Sequence, residues 1–192
     1  SVYFLMVHEN TPLYFKVKSH KLHLPPDDAT VDLYDWTVAY LKQHGFNRYE
    51  LSNFAKEGFQ SEHNKAYWNR QSYRGYGLGA CSFNGEWRFQ NNKNLGAYLE
   101  SVKQGKFPIE MSEGLSLQQI AMEKIMLGLR CEQGMDILDY VQIVSESQKE
   151  RFFAVISDLQ QAGLVEHEAG VVRLTPKGFA LENEVALRLF PE

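Results

Sequence analysis

The chain has 192 residues, 44% hydrophobic, 13% aromatic and 23% charged, and a formal net charge of −4. That is globular composition, long enough for one large or two small domains. The charge argues against non-specific nucleic-acid binding, which rests on clustered Lys and Arg, and no apolar run is long enough to span a bilayer.

In chain order, Val2-Tyr3-Phe4-Leu5-Met6-Val7 reads as a buried strand already in progress. A domain rarely begins inside such a strand, because its edges need neighbours. The expectation is that this chain is the C-terminal portion of a longer protein. Its exposed edge would then promote self-association. Thr11 caps a short helix with Pro12 in the first turn. After Pro25-Pro26, Asp27 or Asp28 starts a helix with Val31, Tyr34, Val38 and Leu41 on one side, and Gly45 ends it. Asn47 to Leu51 is extended. Strand, helix and strand in succession predict a βαβ unit with a parallel sheet.

Residues 52–74 are polar and aromatic without clear periodicity, the signature of a long functional loop. Tyr76 to Phe83 predicts a strand, Gly85 a turn into Trp87-Arg88-Phe89, and Leu95 to Gln104 a helix stopped by Gly105. Pro108 marks a change of unit. Ser116 caps a helix to about Arg130, with Ile120, Met122, Ile125, Met126 and Leu129 as its apolar side. Met135–Val141 and Ser147–Ala162 predict two more helices. Leu164–His167 and Val171–Leu174 form a small hairpin, and Thr175-Pro176 opens a final helix to Phe190. Helices, a hairpin and a last helix read as a winged-helix module. Its presumed recognition helix sets Lys149 and Arg151 against Glu146, Glu150 and Asp158. Direct readout of DNA wants cationic and amide side chains in the groove, so DNA binding ranks last among the readings.

Two stretches carry the chemistry. His63-Asn64-Lys65-Ala66-Tyr67-Trp68 puts an imidazole beside two large aromatics. His63 reads as a surface histidine bonded to its neighbours, or as an axial ligand to a porphyrin iron, with Tyr67 and Trp68 as flanking faces. Gly75-x-Gly77-x-Gly79-Ala80-Cys81-Ser82-Phe83 is glycine-dense, so backbone can approach a ligand closely. It continues as strand rather than opening a helix, so it is not a dinucleotide fingerprint. A bulge without a ligand is the equal alternative. Cys81 reads as a buried small residue ahead of a nucleophile or ligand, and Cys131 as structural. With two distant cysteines, no disulfide is expected and the compartment reads as reducing cytoplasm. Arg88, with Asn91 and Asn94, can clamp a carboxylate or form a surface pair.

A family resemblance rests on Tyr49-Glu50-Leu51-Ser52-Asn53-Phe54-Ala55, His63-Asn64-x-x-Tyr67-Trp68, Gly75-x-Gly77-x-Gly79-Ala80-x-Ser82-Phe83 and Arg88-Phe89-x-Asn91, in that order. The chain resembles the C-terminal part of radical S-adenosylmethionine proteins related to oxygen-independent coproporphyrinogen III oxidase. Within that group it is similar to the haem-chaperone branch. The resemblance implies a mixed α/β (α+β) fold: residues 1–107 as the C-terminal portion of a partial (β/α)6 TIM-like barrel, and residues 108–192 as a helical, winged-helix-like domain.

It further implies haem binding and delivery to membrane haemoproteins, with His63 as the haem ligand and Asn64, Tyr67 and Trp68 around it. Ala80 and Cys81 would lie on the last barrel strand, where family members approach the adenosine of S-adenosylmethionine, and Gly77 and Gly79 belong with them to the cofactor-binding set. Arg88 joins the cofactor-binding set. The alternative is the enzyme itself, oxidative decarboxylation of coproporphyrinogen III, with a [4Fe-4S] cluster and S-adenosylmethionine in the full-length parent and the missing N-terminal barrel half as partner. The Cys-x-x-x-Cys-x-x-Cys loop is absent from this chain. Two separated cysteines cannot give three thiolates to one cluster, so the chain alone is expected to be inactive as a radical enzyme. The branch usually has His where Cys81 stands, which puts a ligand role for that position in doubt.

Overall fold

Thr11 opens the first helix as expected: its side chain accepts the Tyr14 N–H, and Pro12 occupies the first turn of α1 (Pro12–Lys18). The structure, a computed structural model, describes residues 1–191 and divides into two units, Ser1–Gln60 and Ser61 onward.

In the first unit, α2 (Asp27–Gln43) follows Pro26 and stops before Gly45. Val31, Tyr34, Val38 and Leu41 form its half-buried side. β1 (Asn47–Arg48) and β2 (Phe54–Ala55) pair antiparallel. Glu50, 1% exposed, holds their turn together: its carboxylate accepts the Ser52 N–H at 2.9 Å and the Asn53 side-chain amide. Tyr34 donates to the Leu51 carbonyl at 2.7 Å, tying α2 to the same turn. The Tyr-Glu-x-Ser-Asn-Phe-Ala run is therefore a self-bonded hairpin. Two expectations fail here. Val2–Val7 is not a strand; the Val2 N–H bonds the Ser52 carbonyl, but Tyr3, Phe4, Leu5 and Met6 are 50–71% exposed. The βαβ step is replaced by a short hairpin, and every strand pair among the described residues is antiparallel.

In the second unit, residues 52–74 are not all loop: Ser61 caps α3 (Glu62–Trp68) by accepting the Asn64 N–H. β3 (Cys81–Phe83), β4 (Trp87–Asn91) and β5 (Ile109–Gly114) form a sheet in that order. α4 (Leu95–Lys103) crosses between the last two. Of the strand expected over Tyr76–Phe83 only Cys81–Phe83 forms; Tyr76–Ala80 is not strand. The change of unit expected at Pro108 falls inside this body, because β5 pairs with β4 across it.

The helices and the hairpin expected in this part form, with some bounds shifted. α5 (Leu117–Leu129) and α7 (Glu146–Gln161) each begin with a reciprocal capping box, Ser116 with Gln119 and Ser145 with Gln148. β6 (Met135–Asp136), β8 (Val171–Leu174) and β7 (Val165–Glu168) make a sheet in that order. The helix expected from Met135 thus starts two residues late, as α6 (Ile137–Val141), because β6 pairs with β8. The final helix is two pieces, α8 (Pro176–Ala180) and α9 (Glu182–Leu189). Ala121, Ile125, Leu129, Phe152, Leu159, Val172, Val185 and Leu189 are fully buried, so the core sits among α5, α7, α9 and the wing.

Candidate functional site

The Ser61 cap fixes α3, and its spacing decides where each side chain of the His63 stretch goes. His63 and Tyr67 lie one turn apart and meet edge to face, ring centroids 4.8 Å apart at 89°. Tyr67 continues into Tyr73 at 4.7 Å, and Tyr73 into Phe83 on β3 at 6.1 Å. Four rings from three elements form one row. His63 stands at its outer end, exposed to solvent, and among the described residues its ring nitrogens have no hydrogen-bond partner. In place of the expected long functional loop, the imidazole stands on a helix, one ring away from a hollow.

That hollow, about 180 Å³, is walled by Tyr67, Tyr73, Phe83 and Leu127 with Arg70, Arg88 and Glu123. Glu123, on α5, accepts from Arg70 Nε at 2.9 Å and, through its other oxygen, from Arg88 Nη2. Arg70 also donates to the Gly85 carbonyl at 3.3 Å and lies 5.0 Å over the Phe83 ring. It adopts φ +50° just past the end of α3, a conformation that costs a side-chain-bearing residue and that these partners hold. Arg88 is half-exposed, with Glu113 at 3.9 Å. The carboxylates it clamps in this chain are thus those of Glu123 and Glu113. Burial pushes the Tyr73 phenol above its usual value; Cys81 and Tyr67 add to the rise and the Arg88 cation opposes it. Arg70, Tyr73 and Glu123 escaped the sequence reading. The available signal was Glu123 itself, a lone acid within the apolar run of α5.

Asn64 is half-buried, with its backbone N–H on the Ser61 cap. Trp68 turns away from the ring row. It lines a second hollow of about 250 Å³ with Lys124, Met135 and Asp136, and its indole N–H is buried without an acceptor. Trp68 therefore fits between α3 and the winged-helix part, not beside His63.

The glycine run has its own explanation. A Cβ on Gly75 would stand 2.2 Å from the Cys81 carbonyl oxygen, while Gly77 and Gly79 have φ of +103° and +63°. Buried Asn91 donates to the Gly75 and Gly77 carbonyls at 3.3 and 3.0 Å, and Ser82 Oγ accepts the Gly75 N–H at 3.0 Å. The loop is closed by its own hydrogen bonds. Ala80 is half-buried, and Cys81, expected to be buried, is exposed on β3. Of these residues, Cys81 lies close enough to Tyr73 in the ring row to help raise its phenol. A further hollow of about 580 Å³ is lined by Tyr73, Phe83, Phe89, Phe107, Ile109 and Arg74, whose guanidinium stands 4.4 Å over Phe107, so Tyr73 and Phe83 of the ring row wall both hollows.

On the presumed recognition helix, Lys149 is paired with Glu146 at 2.6 Å and Arg151 donates to the Phe190 carbonyl at 2.8 Å. No helix among the described residues is long and apolar enough to cross a membrane.

Residues 115–181 match the model of the HemN C-terminal domain. The chain is 32% identical over 185 residues to the heme chaperone HemW of Bacillus subtilis, covering 96% of this chain and 49% of that protein. It is 30% identical over 185 residues to the heme chaperone HemW of Lactococcus lactis, covering 96% of this chain and 48% of that one. The chain thus spans about half the length of the curated relatives it matches. Among solved structures it is similar to the coproporphyrinogen III oxidase HemN of Escherichia coli, described as a radical SAM enzyme. The TM-score is 0.63 and the identity 19%, over 87% of this chain and 42% of that one, a likeness of fold.

Proposed function

This chain belongs to the HemN-like radical S-adenosylmethionine proteins, on the side of the heme chaperones, and from that premise we propose that it binds haem reversibly and passes it on to recipient haemoproteins. One observation carries the reading: His63 is an exposed imidazole with free ring nitrogens at the end of a row of aromatic rings. Neutral imidazole is a standard axial ligand for haem iron. A hollow of about 180 Å³ is too small to swallow a macrocycle, so haem would lie against the outer edge of the row, ligated by His63 and flanked by Tyr67. Such a seat suits cargo that must leave again, because the iron–nitrogen bond is not sealed by burial. Asn64 and Trp68 act in this reading by setting α3, and Arg88 by bracing the row through Glu123.

The cluster and S-adenosylmethionine belong to the reading of the whole protein. Cys81 and Cys131 do not fit a cluster that needs three thiolates, and no step is derived through it. Ala80 and Cys81 are the residues that the family resemblance puts near the adenosine, with Gly77 and Gly79 in the loop before them. The chain's proposed setting is the cytoplasm. Its exposed Tyr3–Met6 segment is the proposed point of self-association; sedimentation that shows a monomer at high concentration would remove it.

Titrating ferric haem into the chain should give a Soret shift that weakens about ten-fold or more in a His63→Ala variant. Unchanged binding would take His63 out of the function.

A further inference from the structure

We propose that the outer side of α2 is a second seat for a flat iron macrocycle, with His44 as the iron ligand and Trp36 and Tyr40 as its floor. The choice of cargo rests on the haem reading above; the seat itself is built from residues that reading does not use.

Trp36, Tyr40 and His44 follow one another at intervals of four along α2 and its C-cap. Their rings stack in a ladder: Trp36 on Tyr40 with centroids 5.1 Å apart at 18°, and Tyr40 on His44 at 4.3 Å and 33°. The ladder does not serve the core, whose side of the helix is Val31, Tyr34, Val38 and Leu41. Trp36 is 61% and Tyr40 47% exposed, and His44 is exposed as well. Leu33, 60% exposed, extends the apolar strip by one turn. Eight residues of helix rise about 12 Å, comparable with the breadth of a porphyrin.

The ladder ends in an imidazole whose chemistry is set. His44 Nδ1 lies 2.8 Å from the Tyr40 carbonyl oxygen. A carbonyl only accepts, so Nδ1 is the donor in this contact, which leaves Nε2 as the nitrogen that can bind iron. A ring N–H held by a backbone carbonyl is the usual companion of metal-ligating histidine; it fixes the ring and raises its basicity. The ring also sits at the C-terminal end of a 17-residue helix, where the partial negative charge of the peptide dipoles favours a cationic iron centre.

The stacking tells how a macrocycle would lie. Trp36 stacks on Tyr40 from the turn before it and His44 from the turn after, which turns the ring edges of the ladder towards solvent. Iron bonded to His44 Nε2 places the porphyrin plane perpendicular to that bond, hence across the edges of the ladder. Edge-to-face contact between the electropositive rim of one ring and the π face of another is the favoured geometry.

The test titrates ferric haem into the whole chain and into His44→Ala, His44→Gln, His63→Ala and Trp36→Ala variants. Soret absorbance counts equivalents, and electron paramagnetic resonance reads the nitrogen ligand. His44→Gln can keep a donor to the Tyr40 carbonyl while removing the ligand, so folding and ligation separate. The expected result is that both His44 variants lose one equivalent or weaken it about ten-fold or more, and that Trp36→Ala weakens the same equivalent while keeping the imidazole signal. His44 variants with all equivalents at unchanged midpoints overturn the seat, whatever His63→Ala does. Loss in the His44 variants with His63→Ala unchanged supports the seat and removes the primary reading of His63.

Discussion

The two units solve the problem of burying a carboxylate in opposite ways. Glu50, in Ser1–Gln60, is bonded by neutral donors from its own turn, the Ser52 N–H and the Asn53 amide. Glu123, in the second unit, is bonded by two guanidinium groups from distant parts of the chain, Arg70 and Arg88. The surroundings differ in the same sense. Ala55 is the one buried hydrophobic residue described before Ser61, while seventeen residues of the second unit, most of them in α5–α9 and the wing, form a dense core. Local hydrogen bonds can shape a short hairpin and cap a helix. Cooperative stability needs apolar side chains from several elements removed from water together.

The largest expected effect follows from that contrast. Leu129→Ala or Phe152→Ala should cost about 3–5 kcal/mol, because each deletes a fully buried side chain from the second unit's core. Leu33→Ala on α2, 60% exposed, should stay within about 0.5 kcal/mol. Urea unfolding measures both, and equal costs would break the comparison. Native-state hydrogen exchange should show the amides of α5, α7 and α9 protected well beyond those of α1 and α2.

The two acids give the next effect. Glu123→Gln leaves Arg70, whose side chain is 12% exposed, without its countercharge, and should cost about 3 kcal/mol, the low end for a broken buried pair because Arg88 keeps access to water. Glu50→Gln presents an amide donor to donors and should cost about 1–2 kcal/mol. Should Glu50→Gln prove the costlier, neutral donors would be holding their acid more tightly than cations do.

How legible was this in the sequence? The elements with local signals were read closely. Thr11-Pro12, the α2 start at Asp27, Ser116 and the wing hairpin all carry their instructions within a few residues. What failed depended on distant partners. Val2–Val7 has strand composition, yet β structure forms only where a neighbouring edge accepts it, and here one backbone bond does. β5 has all six residues exposed, so no alternation marks it, and it exists because β4 pairs with it. For the site, the His63–Tyr67 pairing follows from helical spacing once α3 is recognised; Ser61 was its overlooked cap. The departure of Trp68 to another hollow and the Arg70–Glu123–Arg88 cluster arise between elements far apart in the chain.

A smaller effect sharpens the contrast at high pH. Tyr140, 1% exposed, stacks on Phe152 at 4.2 Å in the second unit's core. Burial raises its phenol above the usual 10.0, and the Arg151 cation opposes part of the rise. Below 10.0 both folded and unfolded chains keep the proton, so this contribution is intact at neutral pH. As pH climbs past 10.0 the unfolded phenol ionises first, and stability falls by up to about 1.4 kcal/mol per pH unit for each such group until the folded phenol also ionises. Tyr73, raised in the same direction within the His63 row, adds a second group. Urea midpoints followed through the alkaline range should fall less steeply in Tyr140→Phe than in the parent, and less again when Tyr73→Phe is added. A slope that neither substitution changes would mean that the alkaline loss comes from other groups, and that burial of these two phenols does not set it.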